Sequence, residues 1–420
     1  MPSLSMPQAP VASLREAASS TRRSDIFQRE KMIGMALISA TRLGAVHRDT
    51  IIVAAVPLLF AAMGLGLRYF AYASTSVEPS FEGYVRALCR WDCSWYVGIA
   101  DKGYEQFPIA NQSNVGRWGF FPLYPMVIHS VGAFFQYPTI YIGTATSIAC
   151  TWTACLVAWP LLEKNIRAYL LYCAFLLSGP FSFHFTTFLS EPLFILLTSC
   201  VFLALKRGEY LAAGLASAFL SATRVVGVFV VFATVTQIFM DYRKRGGSTK
   251  AFPLWVLRRP QLLLAILISP AGLFAYMLFL HVKVGDGFAF LHVQRAFGRV
   301  AGNLVRYLWE GLSAMPASGW FPTAPQWSAL AAIGGLAMCA VLAYRRQYGA
   351  ALFCAICIIL PLITNLASMV RYVMGLAPLT MMLARLLSSS MLLWLVSLAL
   401  VLAACYPMTK AWIGGYLALV

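Results

Sequence analysis

The sequence is poor in charge, and in acidic residues above all. Only 11% of its 420 residues are charged against 60% hydrophobic residues, and 15 Asp and Glu residues stand against 32 Lys and Arg residues. Soluble domains carry about 25% charged residues, so the composition argues against a soluble enzyme or binding domain. With a mean hydropathy of +0.73, it predicts a polytopic membrane protein.

The sequence also lacks the short motifs of nucleotide-driven proteins. It has no G-x-x-x-x-G-K-[ST] phosphate loop, no dinucleotide-binding glycine pattern and no Ser-His-Asp arrangement that spacing supports. These absences disfavour a nucleotide-driven pump. The net charge of +17 does not indicate nucleic-acid binding, because Lys and Arg stand in short segments between apolar runs, as in cytoplasmic loops.

Long apolar runs are what the sequence has in place of charge. Because backbone polar groups in lipid must be satisfied within their own segment, such runs predict transmembrane helices. We predict an all-α helical bundle of about 10–11 spans, in which 49–420 is a single membrane domain and 1–48 a basic cytoplasmic segment without a cleavable signal peptide. The predicted spans are 51–71, 139–162, 168–188, 191–206, 211–240, 261–282, 326–344, 349–367, 371–387 and 391–410.

Basic residues between the runs predict the orientation. The cytoplasmic joints are Lys164 with Arg167, Lys206 with Arg207, Arg243 with Lys244 and Arg245, and Arg345 with Arg346. All of them fall on one side if 120–135 lies along the outer surface and 211–240 is two half-helices that meet near Thr223. The same topology makes 72–138 and 283–325 outer loops, the first of which contains juxtamembrane helices.

The motif RWDCSWYVGIADKGY, which starts at Arg90, places acids among aromatic rings in the first outer loop. Trp91 and Trp95 are typical of the membrane interface, and Asp92 lies between them. A carboxylate in such a partly desolvated place can act as a general base near neutral pH. The alternative is an interfacial carboxylate that pairs with Arg90 or Lys102, and spacing alone favours it.

Two of the ten cysteines, Cys89 and Cys93, lie at the start of this motif. The sequence leaves open whether they form a disulfide. Most of the others lie inside apolar runs, where a thiol packs as a small hydrophobe. Cys354-x-x-Cys357 has no second ligand pair, so it is interpreted as part of a helix and not as a metal or redox site.

Glu191, Arg224 and Arg371 are ionisable residues at the edge of apolar runs or within them. Ser190 can cap a helix whose positive end favours Glu191, and capping alone accounts for this glutamate. An arginine within an apolar run needs a cavity or an anion such as phosphate, although Arg371 could also snorkel to the interface. Together with Asp92, these residues predict a lipid phosphate held near a general base.

Weaker signals come from Glu105 and His184. Glu105 stands in the first outer loop, where it could be a plain solvated residue, and His184 shortly precedes Glu191. His281 and His292 show no metal-like spacing with acids, so no metal site is predicted.

Four blocks of the sequence occur in a recognisable order. They are RWDCSWYVGIADKGYE, WGFFPLYPMVI, SEPLFILLTSCVFLALKRGEYLAAGLASAFLSATRVVGV and RYVMGLAPL. Over roughly residues 88–380 they resemble the GPI mannosyltransferase II family and its bacterial relatives, within the GT-C superfamily of membrane glycosyltransferases. The segment QFPIANQSNVGR and residues 1–48 lie outside this resemblance.

The resemblance implies an enzyme that transfers mannose from polyprenyl-phosphate-mannose to a lipid-linked acceptor on the periplasmic or lumenal face. Asp92 matches the essential carboxylate of the first outer loop, and Glu105 the acid after the family's Gly-Tyr pair. Glu191 and Arg224 match its Ser-Glu and Thr-Arg pairs. The lipid-linked sugar is the substrate, and no cofactor, metal or nucleic acid is implied.

A mechanism follows for such a donor. Asp92 would accept the proton of the acceptor hydroxyl in an inverting displacement, while Arg224 and Arg371 stabilise the phosphate leaving group. The remaining substrate-binding candidates are Glu105, His184, Glu191, Trp91 and Trp95.

Three alternatives stay open. A related transferase could use another polyprenyl-phosphate sugar or a protein acceptor. A lipid transporter or flippase would also be polytopic and basic, but it would predict sequence repeats that are not found. A structural scaffold gives no reason for Glu191 and Arg224. We favour the bacterial inner membrane over the endoplasmic reticulum.

Overall fold

The structure of the protein is a computed structural model that describes residues 51–110, 114–314 and 323–416. It confirms the predicted all-α helical bundle, and the extended pairing in these ranges is one bridge between Ile109 and Val115. The chain divides into two units, Met1–Ala55 and Val56–Val420, and the fold below is that of the second. The predicted cytoplasmic segment 1–48 lies outside the described residues.

The helices follow one another through short connections. In chain order they are α1 (Ile51–Ala73), α2 (Phe81–Leu88), α3 (Asp92–Lys102), α4 (Leu123–Phe135), α5 (Thr139–Leu161), α6 (Ile166–Leu177), α7 (Phe183–Thr186), α8 (Glu191–Arg207), α9 (Tyr210–Ser221), α10 (Val230–Lys244), α11 (Phe252–Leu257), α12 (Pro260–Ile268), α13 (Ala271–Val284), α14 (Ala289–His292), α15 (Leu304–Ser313), α16 (Ala324–Tyr344), α17 (Tyr348–Leu362), α18 (Met369–Met374), α19 (Ala377–Leu387) and α20 (Met391–Ile413).

Five helical stretches are long and apolar enough to cross a membrane, namely α1, α5, α16, α20 and Val225–Lys244, which ends in α10. Two bent pairs raise the number to seven if each pair is one span: Thr249–Leu257 with α12, bent by 88°, and α13 with Ala289–Arg295, bent by 85°. Several shorter apolar helices, such as α4 and α6, accompany them. These helices make the chain an integral membrane protein. The predicted count of 10–11 spans included such shorter runs.

Breaks in the backbone distinguish the observed helices from the apolar runs. The predicted break of 211–240 is confirmed, because α9 ends at Ser221 and helical structure resumes at Val225. The single helices predicted for 168–188, 261–282 and 371–387 are wrong. These runs are interrupted after Leu177, Ile268 and Met374. Proline explains the second break, because Pro270 cannot donate a helical hydrogen bond and disfavours helical geometry at the preceding residue.

The segment 72–138, predicted as the first outer loop with helices of its own, contains the three helices α2, α3 and α4. The rings of Tyr96 from α3 and Phe188 both pack edge-on against Tyr124 from α4, whose hydroxyl lies 2.5 Å from Ser147 Oγ in α5. Gly143 of α5 faces Phe188, and a Cβ there would come within 2.5 Å of the Phe188 ring. This close approach fixes the segment that leads into α8.

The main apolar core lies among α8, α9, α10, α16, α17 and α19. Its buried side chains include Phe353, Cys354 and Cys357 of α17, as expected for the Cys-x-x-Cys pair. The eight cysteines outside the disulfide described below are free thiols.

Candidate functional site

Four predicted site residues form one chain of ion pairs, which we call the acid–arginine network. Arg371 Nη1 lies 2.7 Å from Asp92 Oδ2, and Arg371 Nε lies 3.1 Å from Glu191 Oε1. Arg224 Nη1 contacts the same Glu191 oxygen at 2.5 Å. The charges alternate along this chain, so each buried charge faces an opposite one.

The network is built from helix ends and breaks. Asp92 is the first residue of α3 and Glu191 the first of α8, positions where the positive end of the helix stabilises a carboxylate. Arg224 lies in the break that follows α9, and Arg371 on the short helix α18. Segments far apart in the sequence therefore bring their side chains to one place because the helices stop there.

The side chains of the network differ in their exposure to solvent. The side chains of Glu191 and Arg371 are 2% and 5% exposed, that of Arg224 is 16% exposed, and that of Asp92 is 28% exposed. Glu191 Oε2 is buried and accepts no hydrogen bond from the described residues, and the 3.1 Å contact of Arg371 Nε lacks hydrogen-bond alignment. Asp92 is the acid of the network that a substrate can reach.

Tyr372 and Arg299 belong to the same site and were missed by the sequence analysis. Arg299 Nη2 donates a 2.8 Å hydrogen bond to Tyr372 Oη, and its guanidinium lies 5.6 Å from the ring centroid. The Arg224 and Arg371 guanidiniums lie 4.7 and 5.6 Å from the same centroid. Three arginines thus surround one phenol, against two carboxylates, which gives a surplus of one positive charge.

Ser190 does not cap α8, contrary to the prediction. Its backbone is helical, with φ −79° and ψ −12°, and its side chain makes no cap hydrogen bond, whereas a capping residue is extended. Ser190 Oγ instead accepts a 2.8 Å hydrogen bond from Tyr96 Oη. Burial raises the pKa of Tyr96 above its ordinary value, so this phenol remains a donor.

The disulfide that the sequence left open is present. Cys89, which precedes α3, pairs with Cys93, the second residue of α3, so the disulfide spans the start of this helix. Trp91 lies between the two cysteines with φ 53°, an uncommon backbone conformation for a bulky residue. Both features fix the backbone on either side of Asp92.

Trp91 and Trp95 occupy different surroundings. The Trp91 side chain is exposed. Trp95 stacks on Phe120 at 5.6 Å between ring centroids and contacts the Phe297 ring edge-on at 5.5 Å. The aromatic group of Trp95, Phe120 and Phe297 therefore joins the segment 72–138 to the segment that contains Arg299.

Glu105 and His184 make their described contacts away from the network. Glu105 Oε2 lies 3.2 Å from Arg117 Nη1, and the other carboxylate oxygen accepts a hydrogen bond from the Arg117 backbone N–H. His184 is fully buried, with its ring centroid 4.6 Å from that of Phe183 and 5.2 Å from that of Trp412. Their predicted contacts with substrate stay predictions.

Arg68 is a buried arginine that the sequence analysis did not single out. It lies in α1 and donates from Nη1 to Leu177 O at 2.8 Å and to Ser182 Oγ at 2.7 Å. Gly64, one turn earlier, has no space for a Cβ, which would lie 1.9 Å from Leu177 O. Arg68 thereby satisfies backbone that the end of α6 leaves unpaired.

Among the described residues, no three His, Cys, Asp or Glu side chains are arranged so that they could hold a metal ion. No protein family, no curated protein and no solved structure matches the sequence. The function is therefore inferred from the acid–arginine network and its neighbours.

Proposed function

We propose that the protein is a membrane glycosyltransferase that moves a mannose from a polyprenyl-phosphate carrier to a lipid-linked acceptor on the periplasmic or lumenal face. The observation that supports it is the acid–arginine network, in which one accessible carboxylate lies beside a surplus of guanidinium groups. A general base next to an anion-binding group is what transfer from a sugar phosphate requires.

Asp92 is the proposed base. The acceptor hydroxyl gives its proton to the Asp92 carboxylate while its oxygen attacks the anomeric carbon from the face opposite the phosphate. The bond between this carbon and the phosphate oxygen breaks, and the phosphate leaves with the electron pair. The configuration is inverted, and the leaving group needs no proton donor. Arg371 orients Asp92 through their 2.7 Å ion pair.

Arg299, which pairs with no carboxylate of the described residues, is the most available phosphate ligand, and Arg224, paired with Glu191 alone and 16% exposed, is the next. Arg371 is engaged by Asp92 and Glu191 and donates to Ser368 Oγ at 3.3 Å. The sequence predicts that Arg371 binds phosphate. To do so, Arg371 would have to give up one of these contacts. Arg224 and Arg299 both lie close to the Tyr372 ring instead. The planar donor groups of a guanidinium suit a phosphate.

Two further features support a site on the outer side. The disulfide between Cys89 and Cys93 is typical of an oxidising compartment such as the periplasm or the lumen of the endoplasmic reticulum. The aromatic group of Trp95, Phe120 and Phe297 provides an apolar wall next to the segment of Arg299, suited to the sugar face or the first prenyl units.

The test is transfer of radiolabelled mannose from polyprenyl-phosphate-mannose to extracted lipid acceptors by the purified protein in liposomes. We expect Asp92→Asn to lower the rate about 10²- to 10⁴-fold. Asp101→Asn is the matched control, because Asp101 is an exposed acid of the same helix that hydrogen-bonds to Thr139. Its rate should stay at the wild-type level.

Two results would count against the proposal. Equal rates for Asp92→Asn and wild type would remove Asp92 as the base. A wild-type protein that transfers no sugar from any polyprenyl-phosphate donor, but moves the labelled lipid across the bilayer, would identify the flippase instead, whose broken helices would look similar.

A further inference from the structure

A cavity of about 400 Å³ lies among α9, α10, α11 and α12, next to the predicted cytoplasmic joint Arg243–Arg245. Its wall includes three arginines, Arg245, Arg258 and Arg259, and one acid, Asp241. The rings of Tyr210, Tyr242 and Trp255 and the side chains of Ile238 and Leu262 supply an apolar part. The cavity is thus cationic on one side and apolar on the other.

Asp241, the acid of this cavity, already has hydrogen-bond partners within the protein. Asp241 accepts hydrogen bonds from Tyr210 Oη at 2.7 Å, Gln237 Nε2 at 2.9 Å and Lys244 Nζ at 3.1 Å. It therefore has little capacity left for the arginines. In the part of the chain that the structure describes, the guanidiniums of Arg245 and Arg258 donate to no other group.

Arg259 is held by an aromatic ring and not by an acid. Its guanidinium lies 4.4 Å from the Trp255 ring centroid. This cation–π contact leaves the guanidinium N–H groups available to an anion. Together with Arg245 and Arg258, it places three arginines on the wall of one cavity.

The second large cavity, of about 390 Å³, shows the contrast. Four cations line it, of which Lys206, Lys244 and Arg385 donate to groups of the protein, whereas the Arg346 side chain donates to none of the described residues. Lys206 Nζ already donates to Pro160 O at 2.6 Å, and Arg385 Nη2 to Leu161 O at 2.6 Å and to Glu163 at 2.9 Å. Lys206 and Arg385 thus stabilise the end of α5, whereas the arginines of the first cavity are available to a ligand.

The helix α11, which borders the first cavity, is nearly perpendicular to the next helix, α12. Thr249–Leu257 is bent by 88° from α12, and Leu254 and Leu257 expose 52% and 61% of their surface. An apolar ridge beside a cationic cavity at a membrane boundary is the arrangement of a segment that lies in the headgroup layer. The ligand that fits both features carries a phosphate and acyl chains.

We propose that this cavity binds an anionic phospholipid of the cytoplasmic leaflet. The phosphate lies among Arg245, Arg258 and Arg259, and the acyl chains pass along Leu254 and Leu257. Basic pockets between membrane helices on this side recognise anionic headgroups. The site is separate from the acid–arginine network and does not depend on the proposed transfer reaction.

The experiment is native mass spectrometry of the full-length protein in detergent, titrated with phosphatidylglycerol or phosphatidylcholine. We expect the wild type to retain phosphatidylglycerol preferentially. The double variant Arg258→Gln/Arg259→Gln should lose roughly 25-fold in phosphatidylglycerol affinity, and Arg258→Gln alone about fivefold. Arg345→Gln is the matched control, since Arg345 is an exposed cation of another predicted cytoplasmic joint and does not line this cavity.

Three results would overturn the proposal. Equal retention of the two lipids by the wild type would show that the arginines do not select an anion. An equal loss for Arg345→Gln would show a diffuse charge effect. Inorganic phosphate that displaces phosphatidylglycerol at millimolar concentration would identify a free anion as the ligand. The single variant, which changes one exposed side chain, keeps the test valid if the double variant fails to fold.

Discussion

The acid–arginine network and the first cavity, which lies among α9, α10, α11 and α12, both contain arginines but differ in what faces these arginines. In the network, the buried Arg371 and the half-buried Arg224 are paired with carboxylates that belong to the protein. In the cavity, Arg245 and Arg258 are exposed and meet no carboxylate of the described chain. A buried cation needs its counterion in the sequence, whereas one at the surface can take it from the surroundings.

The largest effect should come from removing the shared acid of the network. Glu191→Ala leaves Arg224 and Arg371 buried without their common partner, and we expect about 3–5 kcal/mol of destabilisation. Thermal unfolding in detergent, followed by circular dichroism, measures it. The matched control is Glu310→Ala, which breaks the exposed 2.6 Å pair with Arg306 and should shift the unfolding temperature far less, because solvent screens an exposed ion pair. Equal shifts in the two variants would refute a stabilising role for Glu191.

The next effect concerns Arg299, which links the network to the solvent side. Arg299→Gln removes a guanidinium from Tyr372, and if this arginine binds the donor phosphate, the KM for the lipid donor should rise about tenfold or more. Steady-state mannose transfer measures the KM. Arg295→Gln, an exposed arginine four residues earlier, should leave it unchanged. A lower kcat with an unaltered KM would instead assign Arg299 to the chemical step.

A smaller effect is expected at the contact between α3 and α8. Tyr96→Phe removes the hydroxyl that donates to Ser190, at a cost of about 1 kcal/mol in unfolding free energy. Because this bond aligns the helix starts that bear Asp92 and Glu191, the transfer rate should fall as well. Tyr307→Phe, whose hydroxyl bond to Val300 O is exposed, is the comparison. A fully active and fully stable Tyr96→Phe would mean that the bond positions nothing.

The smallest effect should be that of the cavity arginines on stability. In detergent without anionic lipid, Arg258→Gln should change the unfolding free energy by less than about 0.5 kcal/mol, because an exposed cation without a partner contributes little. Added phosphatidylglycerol should then raise the unfolding temperature of the wild type more than that of the variant. A marked loss of stability without lipid would place Arg258 in an internal contact.

The sequence was sufficient for the class of fold and for the residues of the network, because both depend on local signals. An arginine in an apolar run, such as Arg224, is a local signal, although Arg68 carries the same signal within 51–71 and was missed. Arg299 was missed since an arginine in a loop is ordinary, and only the fold brings it to Tyr372. The break after Leu177 was missed because an apolar run stays apolar when its backbone turns, and Arg68, which satisfies that turn, lies more than 100 residues away in the sequence.

The contact of Arg68 with the end of α6 also limits how the bilayer can reach the interior of the protein. Gly64 allows α1 to approach Leu177 closely, and Arg68 ties the two elements together with a charged side chain in a dry environment. Opening this seam to a lipid would strand the guanidinium in hydrocarbon. At this contact, separation of α1 from α6 is therefore unfavourable, and lateral entry of a lipid is disfavoured there.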